Sequence, residues 1–417
     1  MGNKEILVRS VELTKLFPLK KKSILQKEKK YLRANDKITL DIYKGETLGL
    51  VGESGCGKST YGRTLIQLQN QDSGSTLYYG SSLYTIKPKY VADVYANISK
   101  MFSGLDLANQ NKSKEDLSLL RLCGGLLAHP DLDRVSRVLL KCFKDGMDNQ
   151  ELVDLKDEVV TLENYNEYQS YYDEGIDLTE LTSSEMATLR KDIQIIFQNP
   201  YSSLDPRMKV GDIIGEGVTN FKDQIPDAAD MEPYIKGIME RCGLDANYYS
   251  RFPHQFSGGE RQRISIARTL AIKPKFIVCD ESVSALDVSI QAQVLNLLQE
   301  LKRDNDLTYL FITHDLGVVR YISDRIGVMY FGHLVELAPA DELFKNPQHP
   351  YTKMLLEAVP NINFEKDGKH EDILDSIDYP GIGFDFVYDR EGNVDPDWVE
   401  VSKDHFVRCI DRRVSDS

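Results

Sequence analysis

The sequence contains no apolar run of the roughly 18 to 20 residues that a helix needs to cross a bilayer. Its first residues also lack the apolar stretch of a secretory signal peptide, because charged side chains interrupt them from Lys4 onward. These two absences predict a cytoplasmic protein. Any role at a membrane must then come through partner proteins.

Cysteine is scarce: there are six cysteines among 417 residues, and no two of them form a CxxC pair. This scattering predicts a reducing compartment and offers no pattern for a zinc or iron–sulfur site. Basic residues are outnumbered, since 51 Lys and Arg face 65 Asp and Glu, for a net charge of −14. Because nonspecific nucleic-acid binding normally needs a basic face, we expect no nucleic-acid partner.

The composition is that of an ordinary globular protein, with 41% hydrophobic and 28% charged residues, and the length allows two or three domains. Short apolar strands alternate with helices, which predicts an α/β fold with a largely parallel sheet. The predicted strands cover residues 6–13, 38–42, 47–51, 193–197, 276–279 and 308–313, followed by a hairpin at 325–330 and 334–337.

Residues 81–172 differ in hydrophobic pattern from the sequence on either side. Val91, Val94, Ile98 and Met101 recur at helical spacing, and residues 132–143 and 151–163 show similar patterns. The segment therefore predicts an all-helical insertion of three or four helices, and no residue constellation in it suggests chemistry. A lineage-specific decoration is favoured over a regulatory or docking lobe. The tail after Pro347 is polar and predicts an irregular appendage.

The strongest motif is a GxxxxGK[ST] phosphate loop that runs from Gly52 to Ser59, between a predicted strand and a predicted helix. Its glycines let several backbone N–H groups point at phosphate oxygens, and the helix N-terminus adds partial positive charge. Lys58 would reach the β- and γ-phosphates, and the Ser59 hydroxyl would ligate Mg²⁺. The other loop residues expected at the nucleotide are Ser54, Gly55, Cys56, Gly57 and Thr60.

A second motif is the acidic pair Asp280–Glu281, which follows four apolar residues. Sheets of this class bind ligands where their strands end, so the pair would lie at a ligand-binding edge. Asp280 would hold Mg²⁺ through water, and Glu281 would polarise the attacking water. Without the phosphate loop, a plain junction between a strand and a turn would be the better interpretation.

The third motif is FSGGERQR, at residues 256–263, where Ser257, Gly258 and Gly259 open a predicted helix. Such a helix start could bind phosphate, or it could be an ordinary serine N-cap with Glu260 nearby. The motif resembles the signature of ABC ATPases, whose common form is LSGGQ. Phe256 and Glu260 depart from that form, conservatively in shape.

This resemblance implies roles for further residues. Gln198 matches the Q-loop glutamine, which senses Mg²⁺ and the permease. Asp287 ends a segment similar to the D-loop that crosses to the partner subunit, and His314 matches the switch histidine that contacts the γ-phosphate. For the aromatic residue that stacks on adenine, Phe17 fits the spacing best and Tyr31 is second. The signature residues 257–260 would act on the partner's ATP.

The resemblance also implies a fold and domain boundaries. We expect a P-loop NTPase (RecA-like) core with the antiparallel β and helical subdomains of ABC proteins. The nucleotide-binding domain would cover residues 1–80 and 173–345, with the helical subdomain at about 199–270. The all-helical insertion would cover 81–172 and the C-terminal appendage 346–417.

Three longer phrases resemble ATP-binding subunits of oligopeptide and dipeptide importers: GETLGLVGESGC from Gly45, FQNPYSSLDPR from Phe197 and NPQHPYT from Asn346. The resemblance covers roughly residues 1–80 and 174–360. It implies a peripheral ATPase at the cytoplasmic face of the membrane, paired with a second ATP-binding subunit, a paralogue. Two permease subunits and an extracellular or periplasmic substrate-binding protein would complete the importer. Some relatives hold an iron–sulfur centre with clustered C-terminal cysteines, but this tail has only Cys409, so no cluster is expected.

Alternatives remain within and outside transport. Importers of nickel, glutathione or oligosaccharides use subunits of the same type. An ABC ATPase of DNA repair would carry long coiled coils, and the insertion has no sustained heptads. A translation-type member usually has two cassettes, whereas this chain has one set of motifs. A non-hydrolysing module conflicts with the intact Glu281 and His314.

Overall fold

The computed structural model describes residues 4–19, 30–105, 112–147, 149–221, 230–358, 384–385 and 397–411. The chain divides into two compact units. One unit comprises Met1–Gly74 and Lys191–Ser417, here termed the sheet unit, and the other is Ser75–Arg190, termed the helical unit. Within the described ranges, no helix has the length and apolar character needed to span a membrane.

The strands, in chain order, are β1 (Ile6–Pro18), β2 (Tyr31–Tyr43), β3 (Thr47–Val51), β4 (Ser73–Tyr78), β5 (Ile176–Asp177), β6 (Ile193–Ile196), β7 (Phe276–Asp280), β8 (Thr308–Ile312), β9 (Arg325–Tyr330), β10 (His333–Pro339), β11 (Phe384–Asp385), β12 (Asp397–Ser402) and β13 (His405–Asp411). The helices are α1 (Lys58–Leu65), α2 (Leu83–Ile86), α3 (Lys89–Phe102), α4 (Lys114–Cys123), α5 (Leu132–Asp145), α6 (Gln150–Val160), α7 (Tyr165–Ser170), α8 (Ser183–Leu189), α9 (Pro200–Ser203), α10 (Val210–Asn220), α11 (Met231–Arg241), α12 (Gly258–Leu270), α13 (Val288–Asn305), α14 (Leu316–Ile322), α15 (Ala340–Lys345) and α16 (Pro350–Glu357).

The main sheet of the sheet unit has a parallel centre. β3 lies between β8 and β9, and β7 and β6 follow beyond β8, all in parallel register. Every residue of β3, β7, β8 and β9 is buried. Burial on both faces explains why these strands are short and continuously apolar. The predicted α/β architecture with a largely parallel sheet is confirmed.

The strands β1 and β2 form an antiparallel ladder that is longer than predicted. It reaches from Ile6 opposite Tyr43 to Pro18 opposite Tyr31. The sequence prediction ended the first strand at residue 13 and began the second at residue 38, because the apolar pattern stops there. Pairing between the two backbones keeps the exposed ends extended without burial of their side chains.

Several helices of the sheet unit share an apolar core with two strands of the main sheet. α10, α12 and α13 bury Ile214, Ile264 and Leu298 in one apolar cluster with residues of β7 and β8. Predicted residues 199–270 contain α9 to α12. The sheet unit therefore has a helical layer where the sequence places a helical subdomain, whose boundaries stay a prediction.

The expectation of an irregular tail is wrong for two described stretches. Residues after Pro347 form α16, and β12 and β13 form a hairpin whose second strand pairs with β10. His405, Val407 and Cys409 alternate along β13 and are all buried. Because His405 is a polar residue type, the sequence of β13 looked polar. Its buried residues nevertheless alternate with a period of two, as in a strand. The remainder of the predicted appendage, residues 359–383, 386–396 and 412–417, lies outside the described residues.

The helical unit contains more helices than the three or four predicted. α2 to α7 and a 3-10 helix at Gly124–Ala128 surround a core of apolar side chains. The predicted third helix at 151–163 is α6, whereas α4 was missed despite its capping box between Ser113 and Asp116. Residues 106–111 and 148 of the predicted insertion lie outside the described residues.

The chain enters and leaves the insertion at neighbouring points. β4 and β5 pair at Leu77 with Asp177, and the Tyr79 hydroxyl donates to Asp173 Oδ2 at 2.8 Å. The compact helical unit is wider than the predicted 81–172, because it includes this strand pair and α8. An insertion whose ends meet in this way interrupts a surface connection at little cost in closure entropy.

A buried carboxylate fixes the C-terminal elements to the sheet. Glu336 of β10 is buried and accepts hydrogen bonds from the backbone N–H groups of Gln348 and His349, at 2.7 and 3.0 Å. His405 Nε2 of β13 lies 2.8 Å from the same carboxylate. The His349 ring in turn accepts the Tyr351 N–H as the N-cap of α16. Burial lowers the pKa of His349 to about 4.

This depressed pKa predicts a loss of stability in mild acid. Below its unfolded pKa of about 6.5, His349 binds protons in the unfolded chain but not in the folded one. The free energy of unfolding should therefore fall as pH drops from about 6.5 toward 4, by on the order of 2 kcal/mol at pH 5 from this group. His349→Asn keeps a capping oxygen without a titrating ring. Urea unfolding at pH 7.5 and pH 5 should show a smaller loss for this variant than for the unchanged protein.

The exposed His254 provides the matched control. His254→Asn should lose as much stability as the unchanged protein over the same pH interval, because it leaves the buried His349 in place. An equal acid loss in His349→Asn and in the unchanged protein would contradict the assignment.

Candidate active site

The phosphate loop has the backbone geometry that its glycines permit. β3 ends at Val51 and α1 begins at Lys58, as the sequence predicts within one residue. Gly52 and Gly57 have φ angles of 147° and 106°. A Cβ on Gly52 would collide with the Met329 carbonyl, and one on Gly57 with the backbone of β2. Only glycine fits both the torsion and the space at these two positions.

Lys58 is folded back over this loop. Its side chain is buried, and its ammonium donates to the carbonyl oxygens of Gly52 and Glu53 at 2.7 and 2.8 Å. The Cys56 thiol lies alongside, and burial raises its pKa although the neighbouring ammonium acts in the opposite direction. The loop therefore holds a cation and a neutral thiol at the start of α1, where the helix dipole also favours an anion.

Asp280, at the end of β7, lies against the first turns of α1. Its Oδ1 accepts a hydrogen bond from the Ser59 hydroxyl at 2.5 Å. Its Oδ2 accepts from Arg63 Nε and Nη2 at 3.1 and 2.9 Å. The structure thus brings together two of the three residues that the sequence assigns to Mg²⁺, with one carboxylate oxygen turned toward the hydroxyl. The third, Gln198, donates to Glu281.

Sequence reasoning missed Arg63. It lies four residues after Ser59, so both side chains project from the same face of α1. That spacing, combined with the expected position of Asp280, was the available signal.

The oxygen pair of Ser59 and Asp280 fits a magnesium–nucleotide complex. Both are hard donors, and Mg²⁺ in such sites uses one or two protein ligands, phosphate oxygens and water in place of an all-protein cage. Among the described residues there is no cluster of three or more His, Cys, Asp or Glu side chains arranged for a metal. The expected absence of an iron–sulfur cluster stays a prediction.

Glu281 lies between two of the predicted site residues. Gln198 Nε2 donates to its Oε2 at 2.7 Å, and His314 Nδ1 lies 3.4 Å from its Oε1. Gln198 follows β6, Glu281 follows β7 and His314 follows β8, so three neighbouring strand ends supply the group. The arrangement can position a water molecule beside a carboxylate and accept its proton.

The backbone at Glu281 is unusual. Its φ angle is 47°, in a region that residues other than glycine rarely adopt. Its N–H donates to the Ile312 carbonyl of β8 at 2.9 Å. This bond to the next strand holds the strained residue in place. Such strain recurs at functional sites.

The signature segment forms a capping box at the start of α12. Ser257 Oγ accepts from the Glu260 N–H, and the Glu260 carboxylate accepts from the Ser257 N–H at 2.9 Å and from its hydroxyl at 2.8 Å. The hydrogen bond from the Ser257 N–H, and to a smaller extent the one from its hydroxyl, lowers the pKa of Glu260. Within the described residues, no hydrogen bond connects this segment to the phosphate loop. The structure therefore does not bring the signature and Lys58 together in one chain.

The surface around Gly258 of the signature segment is not covered by other parts of the described chain. A Cβ added to Gly258 would meet only Leu286, at ordinary contact distance, whereas one on Gly259 would collide with Ile290. Asp287 is exposed and caps α13 by accepting the Ile290 N–H at 3.0 Å.

The two adenine-stacking candidates lie at the end of the β1–β2 ladder. Phe17 is opposite Leu32, and Tyr31 is opposite Pro18. β2 passes the phosphate loop nearby, since the Asn35 amide donates to the Gly57 carbonyl at 3.1 Å. Both rings are partly exposed. At about 3.4 Å a residue along the strand, both candidates are within nucleotide length of the loop, and the choice between them stays a prediction.

Tyr351 is a site residue that the sequence did not reveal. Its hydroxyl accepts the backbone N–H of Glu53 in the phosphate loop at 2.9 Å, and its ring packs 4.2 Å from that of Tyr330. Tyr351 lies in α16, within the importer-like phrase NPQHPYT. That phrase indicated a subfamily but not a contact with the nucleotide loop.

Comparisons with known proteins agree with this geometry. Residues 35–164 and 165–284 match the family described as ABC transporter, and residues 335–378 match the family described as oligopeptide/dipeptide transporter, C-terminal region. The oligopeptide transport ATP-binding protein OppF of Bacillus subtilis is 38% identical over 382 residues, covering 91% of each chain. The OppF protein of Escherichia coli is 36% identical over 86% of this chain and 78% of its own.

A solved structure extends the comparison to the fold. A dimeric ATP-binding cassette in a post-hydrolysis state, bound to ADP and Pi, aligns with a TM-score of 0.51 at 18% identity. The alignment covers 80% of this chain and 99% of that chain. The likeness confirms the predicted fold class.

Proposed function

The chain belongs to the ABC transporter family of ATP-binding proteins, and on this premise we propose that it is the ATP-hydrolysing motor subunit of an oligopeptide importer. The observation that supports hydrolysis most strongly is the carboxylate of Glu281, held between Gln198 and His314 next to Asp280. The transported class is inferred from the OppF relatives and from the C-terminal match to oligopeptide and dipeptide transporters.

The reaction is transfer of the γ-phosphoryl group of ATP to water. Lys58 leaves the carbonyls of its own loop for the β- and γ-phosphates, which also accept hydrogen bonds from the backbone N–H groups of residues 54–60. Ser59 and Asp280 would hold Mg²⁺, which supplies charge neutralisation to the phosphate oxygens. Glu281 orients the attacking water and takes its proton, while His314 stabilises the charge on the γ-phosphate.

A complete site requires a second cassette. Ser257, Gly258, Gly259 and Glu260 would contact ATP held by the phosphate loop of the partner, and Asp287 would lie at the same interface. Support comes from the open space over Gly258 and from Val288, which is 82% exposed at the start of α13. We take the partner to be a paralogous ATP-binding subunit.

The segment 197–207 would transmit closure of the pair to the permeases. Phe197 and Tyr201 are 38% and 63% exposed, and the Arg261 guanidinium lies 3.9 Å from the Tyr201 ring. Exposed aromatic side chains beside a residue that contacts Glu281 suit a docking surface for membrane helices. The subunit would thus be peripheral at the cytoplasmic face, with two permease subunits and a substrate-binding protein as partners.

Glu281→Gln tests the hydrolytic role. The amide keeps the size of the side chain but cannot accept a proton, so steady-state phosphate release by the assembled transporter should fall by about two orders of magnitude or more. Binding of a fluorescent ATP analogue should persist, because the phosphate contacts remain. Glu240→Gln, an exposed position on α11, is the control and should leave the rate unchanged. Turnover near the unmutated rate in Glu281→Gln would remove Glu281 from catalysis.

Gly258→Trp tests the shared site. Because a side chain at Gly258 meets open space, the indole should leave this chain folded while it blocks the partner's nucleotide. Photo-crosslinking of labelled ATP, resolved by chain, should show lost labelling of the partner and retained labelling of this chain. Gly237→Trp, also in open space, serves as the control. Loss confined to this chain's own phosphate loop would contradict the head-to-tail pairing.

A further inference from the structure

The helical unit contains a cavity that the hydrolytic function does not use. Its volume is about 170 Å³. Helices α2 to α7, the 3-10 helix and the segment that leads to β5 supply its lining. The lining residues are Tyr84, Tyr95, Leu122, Cys123, Leu126, Leu139, Leu152, Lys156, Tyr165, Gln169, Tyr172 and Glu174.

The cavity has an apolar floor and a polar mouth. Its leucines, Cys123 and Tyr95 are buried, whereas Lys156, Gln169, Tyr172 and Glu174 are exposed. An apolar interior with a few polar groups at one side is the usual composition of a small-molecule site. Such a floor suits an apolar body, and such a mouth suits a polar end group.

A pair of glycines lets two tyrosines form the wall. A Cβ on Gly125 would collide with the ring of Tyr165. Gly124 has a φ angle of 51°, and a Cβ there would press on Tyr172 and Gln169. These two glycines, in the middle of the insertion, therefore leave room for the two tyrosine rings that line the cavity.

The mouth presents one charge of each sign. Glu174 Oε1 accepts the Tyr172 hydroxyl at 3.0 Å, which leaves its other oxygen for a ligand. Throughout the described part of the chain, Lys156 has no ion-pair or hydrogen-bond partner, and it does not pair with Glu174. A carboxylate and an ammonium group that share a mouth without neutralising each other suit a ligand that has both charges.

We propose that this cavity binds a small zwitterion with an apolar side chain, that is, a free α-amino acid such as leucine. A cavity of about 150 Å³ holds a benzene-sized molecule, so the floor can take a side chain of up to about six carbon atoms. Glu174 receives the α-ammonium group through a charge-assisted hydrogen bond. Lys156 and the Gln169 amide receive the α-carboxylate.

Calorimetric titration of the full-length chain with L-leucine, isoamylamine and isocaproate tests this assignment. The three probes share one hydrocarbon body and differ in their charges. Leucine should bind, and each singly charged analogue should bind at least about tenfold more weakly, since it lacks one charged contact. Absence of saturable leucine binding up to about 10 mM would overturn the proposal. Equal affinity for all three probes would also overturn it, because only the apolar floor would then be engaged.

Two charge-removing variants separate the contacts. Glu174→Gln should weaken the binding of leucine and isoamylamine but leave that of isocaproate unchanged. Lys156→Gln should weaken the binding of leucine and isocaproate but leave that of isoamylamine unchanged. Both positions are exposed, so the fold should tolerate them, which thermal unfolding checks. Glu163→Gln and Lys100→Gln, exposed residues of the same unit outside the cavity, are the matched controls. Loss of leucine binding in the controls, or its survival in both test variants, would contradict the site.

Discussion

The buried carboxylate of Asp280 and its three hydrogen bonds to α1 are the constraint on which the site depends. An ionised group with about 1% of its surface exposed is tolerated only when it is paired. Ser59 and Arg63 provide that pairing from the helix that follows the phosphate loop. The end of β7 and the start of α1 are therefore fixed to each other within hydrogen-bond distance, across the intervening strand β8.

This constraint explains why the neighbouring strand ends form a site. Because β6, β7 and β8 run parallel, their carboxyl ends meet at one edge, and the segments that follow them lie close together there. Glu281 directly follows β7, and Gln198 and His314 each lie two residues beyond the end of their strand. The left-handed backbone of Glu281 and its bond to Ile312 then direct the carboxylate between the amide and the imidazole.

The parts of this architecture that depend on local sequence could be predicted. The phosphate loop, β3 and the Asp280–Glu281 pair follow from short-range patterns, and the structure places them where the patterns do. Tyr351 and the Glu336–His405 pair could not be found in this way, because their partners are distant in sequence and become neighbours only on folding. Arg63 was missed although its four-residue spacing from Ser59 was visible in the sequence. β13 was missed for a related reason: a buried, paired histidine reads as polar in the sequence. The role of Ser257 cannot be derived from one chain, since its proposed ligand is bound by another subunit.

The central claim is that Asp280 and the strand ends around it form a magnesium-dependent ATPase half-site. The most direct test is ATP turnover by the assembled transporter during a Mg²⁺ titration, with Asp280→Asn compared against Asp192→Asn. Asp192 is also buried and is paired with Lys275, but it lies at the opposite end of the strands. The account predicts that Asp280→Asn loses turnover by about two orders of magnitude or more at saturating Mg²⁺, while Asp192→Asn stays within a few-fold of the unmutated rate. Unchanged, Mg²⁺-dependent turnover in Asp280→Asn would contradict it.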